Sequence, residues 1–529
     1  MKNFTVLFAC FLAAAPVWAE QAQDSLFTRA LNDEMKRTQK ELRLKGSPAP
    51  FFIGYYLFDQ TQQTLQAAFG QTVWPFQQNR SLQGAVLLSA GNAQNDSWGL
   101  NEKSFVQYER DIPRSYAGIR QALWGLTDRA YIADIDAYDT KQAFKRNKHI
   151  SENLPDFTPA QKVTVSRPLS APDFMTEDEM TALAQQLSAW GKDKPFIENF
   201  TVTVTQSHSD SFYLNNEGSC AEQSDAHTAV SWHAKLRNKA GYVQVFNKTV
   251  KFVRFNEQAK AEIAQISQQF REKLEQAYTA QKATSYLGPV LLKPAAAAWL
   301  LNRVFVQNIT NLKPLLDTTE QQGGNFRDKT GKRVMSKLVT VYDKPSLHEY
   351  NNQPLSFTGT LDDEGVPAQD LVLAQGGKIK ELPRSRRPRE KNARSNGHGF
   401  SSAATYSFPR EDVTNVWVQA VDPQTAEQLE AQLLAKCREA DLEYCYIIDA
   451  LPTILNAQRL YTADGHKENV FGLILSPVTT RALRDIIAAG NDMEVTAGGK
   501  IVTPSLLLEE LEFTPDTAEP EKQPFVPRP

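Results

Sequence analysis

The sequence predicts an α+β protein in two lobes, divided near residue 283. Three observations predict it. Between residues 200 and 253 the segments FTVTVTQ, SFYLNNEGSC, AVSWHAKLR and YVQVFNKTVKFV alternate in polarity and are separated by turn residues, as an antiparallel meander requires. Helical-period runs flank this meander on both sides. From about residue 286 the texture changes to one helix, 294–309, followed by many short strands with Gly and Pro turns. The chain has 529 residues, enough for two or more sizeable cores. Its 41% hydrophobic and 22% charged residues are ordinary for a soluble globular protein. A formal net charge of −3 supplies no general attraction to nucleic acid or an anionic membrane.

The N-terminus, MKNFTVLFACFLAAAPVWAE, has one basic residue, Lys2, and an apolar run from Phe4 to Ala15. Val17 and Ala19 give the small-residue pattern of a cleavage site before Glu20. The run is shorter than the ~20 residues that a membrane-spanning helix needs. Residues 1–19 therefore read as a secretory signal peptide, and the mature chain as a periplasmic or secreted protein without a transmembrane segment. Losing Lys2 takes the net charge from −3 to −4.

Residues 20–283 form the expected N-terminal lobe. Phe27, Leu31, Met35, Thr38 and Leu42 recur at helical spacing over 24–45, and Gly46 ends the helix. PFFIGYYLFD reads as a strand, and the region up to about 165 as short strands with polar loops. Thr176 and Glu179 form a capping box for a helix to about 190. A long helix over 256–282 places Ile263, Ile266, Phe270 and Leu274 on one face. In the C-terminal lobe, 284–513, helix 294–309 is followed by LVTVYD, DLVLAQGGKIKEL, TNVWVQAV, YCYIID, ENVFGLIL and IVTPSLLLEELEF, all of strand character. The polar, Pro-rich tail 514–529 reads as disordered.

Cys10 leaves with the signal, so Cys220, Cys437 and Cys445 remain. Cys437 ends a helical pattern and Cys445 lies in the next strand. In an oxidising compartment these two can pair, or they can stay as half-buried thiols. No spacing fits a structural zinc. The run RSRRPREKNAR at 384–394 holds six basic residues and one acid, and reads as a solvated loop. DDEG at 362–365 reads as a turn between strands. His398 sits between glycines in SNGHGF, a loop that could face a peptide or a partner through Asn396, Gly397, His398 and Gly399. There is no HExxH, GxSxG, P-loop or GxGxxG.

Taken in order, LDDEGVPAQDLVLAQGGKIKEL, SNGHGF, PREDVTNVWVQ, ALRDIIAAGND and VTPSLLLEELEF resemble the C-terminal half of the TldD/PmbA metallopeptidase family. ALNDEMKRTQKELRL, PFFIGYYLFD and FYLNNEGS resemble its exported branch. The resemblance implies a C-terminal lobe built as a curved, largely antiparallel sheet, and a homodimer or a heterodimer with a metal-bearing homologue. It also implies a cavity for unfolded peptide, which can be held by pairing with a sheet edge. Catalytic members carry His-Glu-x-x-x-His on a helix, with a cysteine closer to the C-terminus completing a zinc site. By that resemblance, Asn302, Arg303 and Gln307 fall on the His, Glu and His, and MEVTAGGKI at 493–501 lacks the cysteine.

Amides are poor zinc ligands compared with imidazole and thiolate. A guanidinium cannot act as a general base, and it repels a dication. Two unit charges ~4 Å apart at an effective dielectric of ~20 interact by ~4 kcal/mol, and a dication roughly doubles that. The expectation is a vacated metal site, no zinc cofactor, and a subunit resembling the family's metal-free PmbA (TldE) type. The alternatives are an active peptidase with atypical ligands, His398 among them, and an envelope protein that reuses the fold. In the latter, Arg303 would pair with a carboxylate.

Overall fold

The structure is a computed structural model. It describes residues 25–100, 106–150, 154–169, 174–310, 316, 324–401, 408–454 and 456–520. The expected signal peptide, residues 1–19, and the last nine residues of the expected disordered tail lie outside the described residues.

Helix α1 (Leu26–Glu41) starts where the Ser25 side chain accepts the Thr28 N–H, and it buries Ala30, Leu31 and Met35. Strands β1 (Pro50–Ala68) and β2 (Gln71–Asn92) form a long antiparallel hairpin. Two short strands follow, β3 (Asn95–Asp96) and β4 (Val106–Glu109). Next comes α2 (Tyr116–Lys148), a 33-residue helix capped by Ser115. The expectation of short strands and polar loops up to about 165 is wrong here. Ile119, Leu123, Leu126 and Ala130 form an inward apolar stripe, but the same face continues through buried Asp134 and Lys141. Charges on the inward face hide the helical period.

Strand β5 (Thr164–Arg167) and helix α3 (Glu177–Ser188) come next. The Thr176–Glu179 capping box forms, with both reciprocal hydrogen bonds present. Strands β6 (Ile197–Asn215), β7 (Cys220–Arg237) and β8 (Val243–Phe252) make the meander. FTVTVTQ and SFYLN belong to one uninterrupted strand, because His208 to Asp210 pair with β7 without a break. The sheet runs β3-β2-β1-β6-β7-β5, with β4 on β2 and β8 on β7. Helices α1 and α2 cover the β1/β2 end, where Leu31, Leu57, Val86, Leu123 and Leu126 share one core. Helix α4 (Glu257–Thr279), capped by Asn256, covers the β7/β8 end with Ile263, Phe270 and Leu274.

Among the described residues the C-terminal lobe has two large sheets and two two-stranded ones. In the larger, strand Leu506–Pro515 pairs antiparallel with Tyr286–Leu292, which pairs parallel with Tyr444–Ile448. In the smaller, Val339–Asp343 lies between Leu371–Gln375 and Val416–Ala420, antiparallel to both. Helix α5 (Pro294–Leu301) begins with Pro at its first position. Its buried residues share one core with Val290, Val339, Val418 and Leu508 from both sheets. The architecture is α+β with mostly antiparallel sheets, as expected.

Candidate functional site

Helix α5 continues through a π-helical turn, Asn302–Val306, into a last helical turn, α6 (Gln307–Ile309). The Gln307 N–H donates to the Asn302 carbonyl, five residues back. Such a turn widens the helix locally and is frequent at functional sites. Leu300, Leu301, Val304, Phe305, Val306 and Ile309 are buried. Ala295, Trp299, Asn302, Arg303, Gln307 and, beside them, Asn308 reach solvent. The sequence-predicted triad thus lies together on the open side of an otherwise enclosed helix. It lines a cleft of about 520 Å³ with Trp299 and the segment Leu475–Val478.

The Arg303 guanidinium donates to the Gln307 side-chain carbonyl at 3.0 Å. Among the described residues it forms no ion pair with a carboxylate, so the partner that a purely structural arginine would recruit is not found there. The segment around 493–501 packs against this helix: strands Glu494–Thr496 and Ile501–Thr503 both touch α5. The donors that the helix offers are two amides and a guanidinium, and this set does not fit zinc. Among the described residues, no three His, Cys, Asp or Glu side chains gather where they could hold a metal ion.

The SNGHGF loop faces inward, not outward. Asn396 and His398 are buried, as are Gly397 and Gly399. His398 Nε2 lies 3.0 Å from Asp343 Oδ2, and Nδ1 lies 3.0 Å from the Asn396 carbonyl. Asp343 also accepts the Thr414 and Asn415 N–H groups, both at 2.8 Å. With both ring nitrogens turned to groups inside the protein, buried His398 presents neither to a metal or substrate. Gly397 has φ +78° and a Cβ there would meet the Pro367 carbonyl, so the loop needs glycine to pack this closely. The loop is an internal clasp of this chain and does not present these residues to a peptide or partner. Cys437 and Cys445 form a disulfide that ties helix α7 (Ala426–Glu439) to strand Tyr444–Ile448. Cys220 remains a thiol.

The basic run at 384–394 is not a solvated loop throughout. Arg386 and Arg387 are 1% and 3% exposed and join the two lobes. Arg386 grips Glu217 with both Nη atoms, at 2.6 and 2.7 Å, and its Nε donates to the Thr158 carbonyl at 2.7 Å. Arg387 Nη1 donates to Asp96 Oδ2 at 2.9 Å. Lys141 holds Asp156 at 2.5 Å beside it. The DDEG turn forms the other wall. Asp362 Oδ1 accepts the Glu364 and Val366 N–H groups, and Tyr56 OH donates to the Asp363 carbonyl. Burial pushes the Asp363 carboxyl up to about 6 and that of Glu411 up to about 7. Sequence reasoning missed this joint. The signal available was an Arg-Arg pair in the same lobe as a run of three acids, DDE.

A family model for the PmbA/TldA metallopeptidase C-terminal domain matches residues 285–515. None of the curated proteins matches the chain. Among solved structures, TldE from Thermococcus kodakarensis superposes with a TM-score of 0.65 at 13% identity, covering 92% of this chain and 100% of that one. A candidate modulator of DNA gyrase from Thermotoga maritima gives 0.63 at 14% identity, covering 92% of this chain and 100% of its own. Another candidate modulator, from Bacteroides thetaiotaomicron, gives 0.61 at 11% identity, covering 93% of this chain and 100% of its own.

Proposed function

We propose that this chain, whose residues 285–515 match the PmbA/TldA metallopeptidase C-terminal domain, acts as a non-catalytic, TldE-like subunit without zinc of its own. The single observation that carries this reading is the open stripe of helix α5 and its π turn. There Arg303 donates to Gln307 beside Asn302 on one open face, and by the sequence resemblance these three fall where catalytic members carry His, Glu and His. A cleft remains beside them, but its helix-borne groups can donate and accept hydrogen bonds and cannot hold a zinc ion or take up a proton from water. Such a subunit binds extended peptide through backbone pairing, or seats a metal-bearing homologue, and either role survives the loss of catalysis. The signal-like N-terminus supports a periplasmic or secreted location.

The test is a three-part measurement on the purified mature chain: metal content by mass spectrometry, cleavage of unfolded peptides, and co-purification with a homologue that keeps His-Glu-x-x-x-His. The expected result is no stoichiometric zinc, no cleavage by the chain alone, and a stable complex with the homologue. Stoichiometric zinc with chelator-sensitive cleavage would overturn the reading.

A further inference from the structure

The segment 385–387 straps the two lobes together, and two buried carboxyls hold its backbone. Glu364 Oε2 accepts the Arg386 N–H at 2.6 Å. Glu411 Oε1 accepts the Ser385 hydroxyl at 2.6 Å, and that hydroxyl in turn accepts the Arg387 N–H at 3.1 Å. Each carboxyl thus sets the backbone of one of the two arginines whose side chains reach the N-terminal lobe. The two carboxyls border the same residue. Glu411 pairs with Gly399 in the two-stranded ladder of Gly399–Phe400 with Arg410–Glu411. The Glu364 carboxyl packs on that glycine so closely that a Cβ there would lie 2.5 Å from Oε2.

Neither carboxyl has a cation of its own. Glu364 and Glu411 are 0% and 4% exposed. The cations that face them, Arg386 and Arg387, are already taken by Glu217 and Asp96 of the other lobe. Lys141, behind those two, is taken by Asp156. Glu364 Oε1 has no hydrogen-bond partner among the described residues. Asp362 and Asp363, from the same turn as Glu364, add negative charge. The Tyr56 and Tyr213 phenols, from β1 and β6, are kept neutral by burial. A hydrogen bond or two does not offset the cost of burying a charge that lacks a cation, and neighbouring carboxylates repel. Burial therefore holds both carboxyls above their ordinary range, Glu411 at about 7. Unfolded glutamates lose their proton above about pH 4. The folded joint keeps its protons longer, so it is most stable in acid and weakens as pH rises through about 7. We propose that Glu364 and Glu411 form a proton-operated latch between the lobes. When neutral, they clamp the backbone of Arg386 and Arg387; when ionised, they release it and the joint loosens. The proposal does not depend on the family reading or on the presence of zinc.

The experiment follows hydrogen exchange of the full mature chain by mass spectrometry from about pH 5 to about pH 9, with the intrinsic pH dependence of exchange divided out. The reporter is the strap, 384–400, and helix α7 is the reference. In wild type the strap should lose protection about tenfold or more across that range, while α7 keeps its own. Glu411→Gln and Glu364→Gln stay neutral at every pH, so each should hold the acid-side protection throughout. Glu519→Gln, at an exposed position near the C-terminus, should behave as wild type. A strap whose protection does not change with pH, or changes equally in the Gln variants, overturns the latch. So does loss of protection in α7 in step with the strap, which marks unfolding of the whole chain. If neither Gln variant folds, Ser385→Ala decides. It cuts the Glu411 clamp at its hydroxyl, so the strap should be open already in acid, and acid-side protection equal to that of wild type overturns the proposal.

Discussion

Replacing Arg386 with Met should destabilise the protein by about 3 kcal/mol, far more than a loop substitution. The magnitude follows from what the guanidinium holds. It is 1% exposed, grips Glu217 with two hydrogen bonds, donates to the Thr158 carbonyl, and stacks 4.0 Å from the Phe157 ring centre. Removing one partner of a buried ion pair costs about 3–5 kcal/mol. The Glu217 side chain is 34% exposed, so water recovers part of its solvation once the arginine is gone, which places the cost near the lower end. Met keeps the apolar stem and loses only the charged head. The assay is urea unfolding followed by circular dichroism, with Glu217→Gln and the double variant completing a thermodynamic cycle. The cycle should return a coupling of about 1–3 kcal/mol. If Arg386→Met unfolds within about 0.5 kcal/mol of wild type, as solvated surface positions do, the joint between the lobes is not what the structure describes.

Four further outcomes are expected. The triple variant Asn302→His/Arg303→Glu/Gln307→His should not gain chelator-sensitive peptide cleavage, because the 493–501 segment still lacks a thiolate; robust zinc-dependent activity would show that the site was more complete. Burial raises the Asp134 carboxyl to about 8, so the folded chain keeps a proton that the unfolded chain has lost above about pH 4. This group's contribution to stability therefore falls as pH climbs from about 4 to 8, and Asp134→Asn should flatten the pH dependence of the urea midpoint across that range, an unchanged slope refuting it. Removing the Cys437–Cys445 bond, which spans 8 residues in sequence, should cost about 2–3 kcal/mol by loop-closure entropy. Thiol labelling of the unreduced mature chain should find only Cys220. Arg303→Ala should change stability by no more than about 0.5 kcal/mol while weakening capture of a metal-bearing homologue or of peptide; a loss well above 1 kcal/mol with capture intact would return Arg303 to a structural role.

Much of the fold was legible where a local rule was obeyed. Thr176 and Glu179 marked a helix start because the capping box is a short-range device. Helix 294–309 was visible from Pro294 and its apolar body. The cluster of Asn302, Arg303 and Gln307 was visible from helical spacing, although the π turn that holds them was not. What stayed hidden was set by partners far away in sequence. Arg387 is buried because Asp96, 291 residues distant, meets it, and Arg386 because Glu217, 169 residues distant, does. Composition reads such arginines as solvated. Helix α2 hid for the same reason, since Asp134 and Lys141 occupy its inward face and are satisfied by Ser97 and Asp156. His398 between glycines suggested an exposed imidazole, yet the glycines serve close packing around Asp343.

Arg386 and Arg387 contrast with Arg303 in the same lobe, and the contrast bears on function. Arg386 and Arg387 are desolvated, and each meets a carboxylate from the other lobe. That is the arrangement a buried cation needs to persist in a folded protein. Arg303 is different. It stands at the widened turn of the most enclosed helix of the lobe, open to a cleft, with an amide one turn away as its hydrogen-bond partner. An amide orients a guanidinium without neutralising it, so the charge is left to act on whatever enters the cleft. A helix whose other faces are packed between two sheets has no structural use for a cation at that point, where an alanine would cost the fold little. By the resemblance drawn from the sequence, this position is the one where catalytic members carry the glutamate of His-Glu-x-x-x-His. On the proposed reading, a cation there cannot serve as a general base and offers a fixed positive site suited to the carbonyls or carboxylates of a peptide, which is the physical argument for a binding subunit.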